Sequence, residues 1–317
     1  MISTFKSLIQ LNDYFKEEKT CCEFLAHQIW DGGKPVCPFC NSTKIYIGKS
    51  RSTKPSKKDI PEYQCANKEC TKKFSVTTGT IFHSTKIPLR TWYAAIYLIT
   101  AHKKGISSLQ LATDLQVTQK TAWHINHRIR AMFKDSAPEL LRDVVQLDET
   151  LVGGKNKNRH ADKKIPHSQG RSSKGKTTVF GARSLGGKIK TQVIPNVEAE
   201  TIIPIVEKWV EKGSIMVTDE WRSYKPLAEN FFHIAVNHSE GQYASGAFSS
   251  NGVENFWSLF KRGIIGIYHQ VSPKHLHRYS TEFSYRYNSR DESSNERFTN
   301  TIKNAAGIRL RYNDLIK

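Results

Sequence analysis

The chain has 317 residues, with 48 Lys and Arg against 29 Asp and Glu, a formal net charge of +19 and a pI near 9.6. A chain this long has room for two or three domains, and this excess of cations points to a polyanionic partner, nucleic acid first. No run of about 18 apolar residues occurs, so no membrane-spanning helix is expected and the membrane is excluded as a partner.

Residues 1–19, MISTFKSLIQLNDYFKEEK, are too charged for a secretion signal and read as an amphipathic helix, giving an N-terminal helical segment over 1–29. All six cysteines fall within the first 70 residues. Such clustering fits a local metal site in a reducing compartment, hence a cytoplasmic chain, nucleoid-associated in a bacterium. Cys21 and Cys22 are adjacent and do not easily serve one ion, so both are expected as buried thiols in a helix. Cys37-Pro-Phe-Cys40 and Cys65-Ala-Asn-Lys-Glu-Cys70 each offer two thiolates from a tight turn, together the four that a tetrahedral zinc ion takes. Between them KIYIGKS and EYQC read as strands joined by the basic loop RSTKPSKKD, and FSVTTGTIF follows as a closing strand. The expectation is a zinc ribbon over 30–84, with one structural Zn2+ held by Cys37, Cys40, Cys65 and Cys70. Four thiolates leave no open position for catalysis.

Residues 88–134 read as helical, within a DNA-binding region expected over 85–138. TWYAAIYLITAHKK repeats apolar residues at helical spacing after a Thr91 cap. ISSLQLATDLQV and TQKTAWHINHRIRAMF then give a short helix from Ser107 or Ser108, a turn near Leu115-Gln116-Val117, and a longer helix capped by Thr118. This is a helix-turn-helix pattern. In such a motif Thr118, Gln119 and Lys120, at the exposed start of the second helix, meet DNA. The same pattern also serves a helical hairpin that only packs. Trp123, Ile129 and Met132 are expected in the core.

From about residue 143 the periodicity changes to that of strands. DVVQLDETLV, TTVFGARSL, KIKTQVIP, SIMVTD and FHIAVN read as five strands, with Gly186-Gly187 as the hairpin between the second and third. TIIPIVEKWVEKG and WRSYKPLAEN read as helices on either side of the fourth strand. The order resembles that of a ribonuclease H-like α/β domain with a mixed five-stranded sheet, expected over 139–317. Its first and fourth strands lie side by side, which would bring Asp148 and Asp219 together. Glu254 lies in an amphipathic helical stretch, and Lys261 follows two turns later on the same face. Three carboxylates converging from two strands and a helix would bind two divalent ions about 3.5–4 Å apart, the arrangement for in-line attack on a phosphodiester.

Residues 153–176 carry eight Lys or Arg against one Asp. Lys155, Lys157 and Arg159 directly follow the first catalytic candidate, a position suited to phosphate contact; a solvated surface loop is the alternative. Arg262, beside Lys261, is a further DNA-contact candidate. Asn251 shares the Glu254 face and competes with it for a metal. Glu282 is read as packed or salt-bridged, and His238 as lining the site.

CPFC, FSVTTGTIFHSTKIPLRTWYAAI and ISSLQLATDLQVTQKTAWHINHRIR resemble the start of a group of insertion-sequence transposases with an N-terminal zinc ribbon. LDETLVGGK, VTDEWRSYKPL, VNHSEGQY and NGVENFWSLFKRGIIGIYHQVSPKHLHRYSTEFSYRYN resemble its DDE-type catalytic domain. The likeness runs from about Trp30 to Asn288, and the order of the motifs is more specific than any one of them. It implies Asp148, Asp219 and Glu254 as the triad binding two Mg2+ or Mn2+, and Lys261 as a DNA-contacting lysine. The second cysteine pair is wider than the usual CxxC.

The function expected is that of a DNA transposase acting as a homodimer or higher oligomer on double-stranded DNA, both terminal inverted repeats and target. It would cleave and transfer strands with a metal. The rivals are a transposase-derived DNA-binding regulator without catalysis and a nuclease on the same fold.

Overall fold

The computed structural model describes residues 4–49, 60–133, 139–154, 156–158, 160–166, 174–219, 224, 227, 231–236, 244–245 and 248–317. The chain divides into two compact units, one of residues 1–134 with 292–317 and one of 135–291. The architecture is α+β.

In the first unit, the N-terminal segment forms two helices where one was expected, α1 (Leu8–Tyr14) and α2 (Glu18–Ile29). Ser7 caps α1 by accepting from the Gln10 N–H, and Phe15 turns inward at the break between the helices. Phe15 packs against Phe5, Phe24, Tyr93 and Phe298. Cys21 and Cys22 are buried in α2 as expected, and burial pushes both thiols up, Cys22 to about 12. Strands β1 (Ile45–Lys49), β2 (Pro61–Cys65) and β3 (Lys73–Phe74) form an antiparallel sheet. The closing strand is only two residues long, because Ser75 turns the chain: its backbone N–H donates to Thr78 Oγ1 at 3.0 Å. The loop 51–59 lies outside the described residues.

Helix α3 (Leu89–Ala101) starts before Thr91, so Thr91 is not its cap. Pro88 pre-sets the entry, and the Glu18 carboxylate of α2 accepts from the Leu89 and Arg90 N–H groups at 2.7 and 3.5 Å. A distant side chain thus does what a local one was expected to do. Helices α4 (Ser108–Leu115) and α5 (Gln119–Met132) are capped by Ser107 and Thr118, with Gln116 left-handed (φ 53°) between them. Ile129 and Met132 are fully buried, while Trp123 is half-buried against His127 and Tyr312.

The second unit carries a five-stranded sheet of β4 (Val144–Val152), β5 (Thr177–Ser184), β6 (Ile189–Ile194), β7 (Ile215–Asp219) and β8 (Phe232–Val236), in the order β6-β5-β4-β7-β8. The pairs β4–β5 and β5–β6 are antiparallel; β4–β7 and β7–β8 are parallel. Gly187, at φ +85°, closes the β5–β6 hairpin where Gly186-Gly187 predicted it. Strand alternation sends Val145, Leu147 and Met216 to a core that includes Val206 and Trp209 of α6 (Ala199–Trp209). The opposite face carries α7 (Asn251–Gly263) and α8 (Leu276–Asn288) through Val179, Val253, Phe256, Trp257, Phe260 and Phe283. A small ladder, β9 (Ala244–Ser245) with β10 (Phe248–Ser249), precedes α7. Most of WRSYKPLAEN and VNHSEGQY lies outside the described residues, His238 included.

Residues 292–317 were expected to continue the domain over 139–317, and here they pack in the first unit. Phe298 of α9 (Ser294–Lys303) enters the aromatic cluster around Phe15, and Ile81 donates its N–H to Ala305 O at 2.8 Å. The short α10 (Tyr312–Ile316) ends the chain.

Candidate active site and metal centre

Strands β4 and β7 run parallel in the register Val144↔Ile215, Val145↔Met216, Gln146↔Val217. Two residues further along, Asp148 stands level with Asp219. Both share the parity of Gln146 and Val217, so both fall on the face that bears α7. On the other side of β4, Asp148 pairs with Gly181 of β5. A Cβ at Gly181 would lie 2.6 Å from the Trp257 ring. The missing side chain therefore lets α7 lie directly on the sheet beside Asp148, and Glu254, one turn before Trp257, arrives at the same place. Ser250 donates to Glu254 Oε1 at 2.8 Å, and the Val253 N–H donates to Gln146 Oε1 at 3.0 Å. Gly181→Ala is expected to force Trp257 and α7 outward and cost about 1–3 kcal/mol, read as a lower urea midpoint at unchanged slope.

Asp148 carries the effect of this crowding. Burial comes first in pushing the Asp148 carboxyl up to about 8, then the charge of Glu149, with Asp219 and Glu254 adding to it, against the Glu149 N–H that donates to Asp148 Oδ1 at 2.8 Å. Glu149 itself accepts from the hydroxyl of Tyr224, which is fully buried. A cleft of about 690 Å3 opens here, lined by Asp148, Glu149, Glu254, Trp257, Lys261 and Arg262 among others. A neighbouring groove of about 1020 Å3 shares Lys261 and is bordered by Gly153, His160 and His269. After Gly263 the helix continues as a π-helical turn over Ile264–Tyr268, whose Ile265 and Gly266 line the cleft. Such turns recur at functional sites.

Of the predicted residues, Asp148, Glu254, Lys261 and Arg262 meet in the cleft, with Asp219 acting on Asp148 from the adjacent strand. Asn251, at the start of α7, is not among the cleft-lining residues. Glu282 is only 1% exposed and is salt-bridged as expected, with Arg286 Nη2 at 2.6 Å and the Tyr268 hydroxyl at 2.7 Å from its Oε1. Thr118, Gln119 and Lys120 are exposed at the start of α5; Gln119 donates to Ser108 Oγ at 2.9 Å. Lys155, Arg159 and the side chain of Lys157 lie outside the described residues. Sequence reasoning missed Glu149, Tyr224, Gly181 and Trp257. Only the Asp148-Glu149 doublet carried a local signal.

The second site is in the first unit. The sulfurs of Cys37, Cys40, Cys65 and Cys70 all lie within 4.8 Å of one another, with Cys37–Cys70 at 3.8 Å and Cys40–Cys65 at 3.6 Å. Four thiolates about 2.3 Å from a tetrahedral zinc stand roughly 3.8 Å apart, so the donor set could hold a zinc ion. Asn41 and Thr71, each just after the second cysteine of a pair, take left-handed φ of 56° and 49°. The wider second pair fits because Cys70 and Thr71 both donate their N–H groups to Asn67 O at 3.0 Å, a turn that absorbs the two extra residues. Among the described residues these cysteines are the only group of three or more donors close enough to share one ion.

Residues 140–288, which carry all three carboxylates and Lys261, match the ISXO2-like transposase domain. An uncharacterized transposase-like protein of Haemophilus influenzae is 34% identical over 108 residues, 34% of this chain and 86% of that protein. The chain belongs to the DDE-type insertion-sequence transposases. An uncharacterized protein in transposable element ISH50 of Halobacterium salinarum is similar over a longer stretch, 29% identical across 78% of this transposase and 83% of the relative. Among the described residues of the transposase, no helix is long and apolar enough to cross a membrane.

Proposed function

We propose that this transposase binds the ends of its own element and cleaves and transfers DNA strands at a two-metal site held by Asp148, Asp219 and Glu254. The observation that supports this reading is that a β4 carboxylate and an α7 carboxylate line one cleft with Lys261, while Asp219 stands level with Asp148 on the adjacent strand β7 and acts on it by charge. The strand order supports a ribonuclease H-like domain. The residues fit hard divalent cations: all the donors are carboxylate oxygens, and Asp148 is held high by burial first and then by its neighbours' charge, both of which a bound cation offsets. The three acids form no closed shell like that of the cysteines. Asp148, Asp219 and Glu254 would hold the ions.

When bound, Mg2+ or Mn2+ supplies activation of the attacking oxygen and stabilisation of the leaving one. The chain's own part is orientation. Ser250 fixes Glu254, Tyr224 fixes Glu149, and Lys261 and Arg262 hold the DNA phosphate at the cleft. The first unit would hold the DNA ends through a structural zinc ribbon and through α4 and α5 acting as a helix-turn-helix, with Thr118, Gln119 and Lys120 on the groove. Lys155, Lys157 and Arg159 would add phosphate contacts, and cleavage at both ends would take a homodimer or higher oligomer. The test is cleavage and joining on DNA carrying the element's ends with Mg2+. A transposase nicks at the ends and joins the freed 3′-hydroxyl to target. Nicking without joining makes the chain a nuclease, and binding without nicking makes it a regulator.

A further inference from the structure

Arg128, in the last half of α5, is 8% exposed, and among the described residues its Nε has no hydrogen-bond partner. A guanidinium buried this deeply ordinarily has an acidic partner, because an unpaired buried charge is costly. Here its guanidinium carbon lies over the Trp92 ring, 5.0 Å from the centroid. Its charged neighbours are cationic. Burial comes first in lowering it to about 10, and the charge of Arg309 adds. His83 is lowered likewise, by burial first and then by Arg309 and Arg128. Among the described residues no carboxylate forms an ion pair with any of the three.

The backbone fixes this grouping. Residues 305–307 are pinned to 79–81 by the bridge Thr80↔Ala306, by Ile81 N–H donating to Ala305 O at 2.8 Å and by Gly307 N–H donating to Gly79 O at 2.9 Å. That pairing carries Arg309 to His83. His83 Nδ1 accepts from the Gly79 N–H at 3.1 Å, so the neutral ring keeps its proton on Nε2 as a donor. The result is three donor groups, one buried and two reachable, with no anion of their own. Arg309 is exposed, so the site is open to solvent.

We propose that His83, Arg128 and Arg309 form a binding site for a phosphodiester of the DNA backbone, a contact outside the catalytic cleft and outside the first turn of α5. The proposal rests on the DNA-binding reading above. A phosphate presents several acceptor oxygens with full negative charge, which matches two guanidinium groups and an N–H donor better than any neutral ligand does. A backbone contact carries no sequence information, so the site fixes the register of the first unit on the duplex and leaves discrimination to other residues.

The test uses the full chain with zinc, titrating a short random duplex across a salt series and following the His83 ring resonances. Arg309→Gln is expected to lower the log–log salt slope by about 0.9, one phosphate's worth, and to weaken binding to all sequences alike. Lys19→Gln, at an exposed position of α2, is expected to leave the slope unchanged. The duplex should move the His83 resonances in the wild-type chain and much less in Arg309→Gln. An unchanged slope in Arg309→Gln, with the wild type binding normally, overturns this site alone. A His83 response to inorganic phosphate with none to the duplex also overturns it, making the site one for a small anion. Absence of any DNA binding by the wild type overturns it together with the reading on which it rests.

Discussion

Asp148→Asn is expected to keep the fold and DNA binding and to abolish Mg2+-dependent strand cleavage, a loss well beyond the roughly 100-fold that removing a metal's outer supporting partner costs. The amide has the same size but gives a hard cation no charge. Asp219→Asn and Glu254→Gln should act in the same direction. Glu282→Gln separates chemistry from packing. It leaves the buried Arg286 without its carboxylate, so it should cost about 3–5 kcal/mol of stability while folded molecules still cleave. Normal cleavage by Glu254→Gln with none by folded Glu282→Gln would move the third metal ligand to α8.

The same substitution has a pH signature without metal. The Asp148 carboxyl is raised to about 8 in the fold, against about 3.9 for an unfolded chain. A raised acid favours the fold fully below the unfolded value, and that contribution is lost as pH rises toward 8. Chelator-treated Asp148→Asn should therefore melt higher than chelator-treated wild type by a margin that widens between pH 4 and pH 8. Scanning calorimetry at several pH values measures it, and an equal margin at all pH values would contradict the raised Asp148 carboxyl.

Cys37→Ser is expected to release the single zinc and unfold the ribbon over residues 30–82. The ribbon has little apolar core of its own: Trp30 edge-on to Tyr63 and Phe74, and a three-stranded sheet whose last strand has two residues. Binding of a structural zinc contributes an apparent ~10–16 kcal/mol at neutral pH, more than such a core supplies. Elemental analysis should fall from about one zinc per chain to near zero. Limited proteolysis should then cut within 30–82 while the five-stranded sheet stays intact. Full zinc retention in Cys37→Ser would mean that another donor set holds the metal.

Much of the site was legible in the residues because its signals are local. Four cysteines in two tight pairs state a donor set by spacing alone. Ser107 and Thr118 mark helix starts because a side-chain oxygen reaches an N–H three residues on. Asp148 and Asp219 each end an apolar β-branched run, and strand parity then decides that they share a face. Glu254 and Lys261 share a face because seven residues make two helical turns.

What the tertiary structure decided are pairings between residues far apart in the chain, which no local pattern encodes. Gly181 is an ordinary strand glycine until Trp257 lies on it. The cap of α3 comes from Glu18, some 70 residues earlier, so the local hydroxyl of Thr91 was a false signal. Tyr224 reaches Glu149, and Tyr268 reaches Glu282, only because the elements bearing them are packed together; the Glu282–Arg286 pair, four residues apart on α8, is by contrast local. Residues 292–317 leave the sheet's unit for the other because Phe298 finds Phe15 and Tyr93 there. Periodicity specifies which face of an element is apolar; which other face covers it is settled by the shape and volume of the partners, and those exist only in the folded chain.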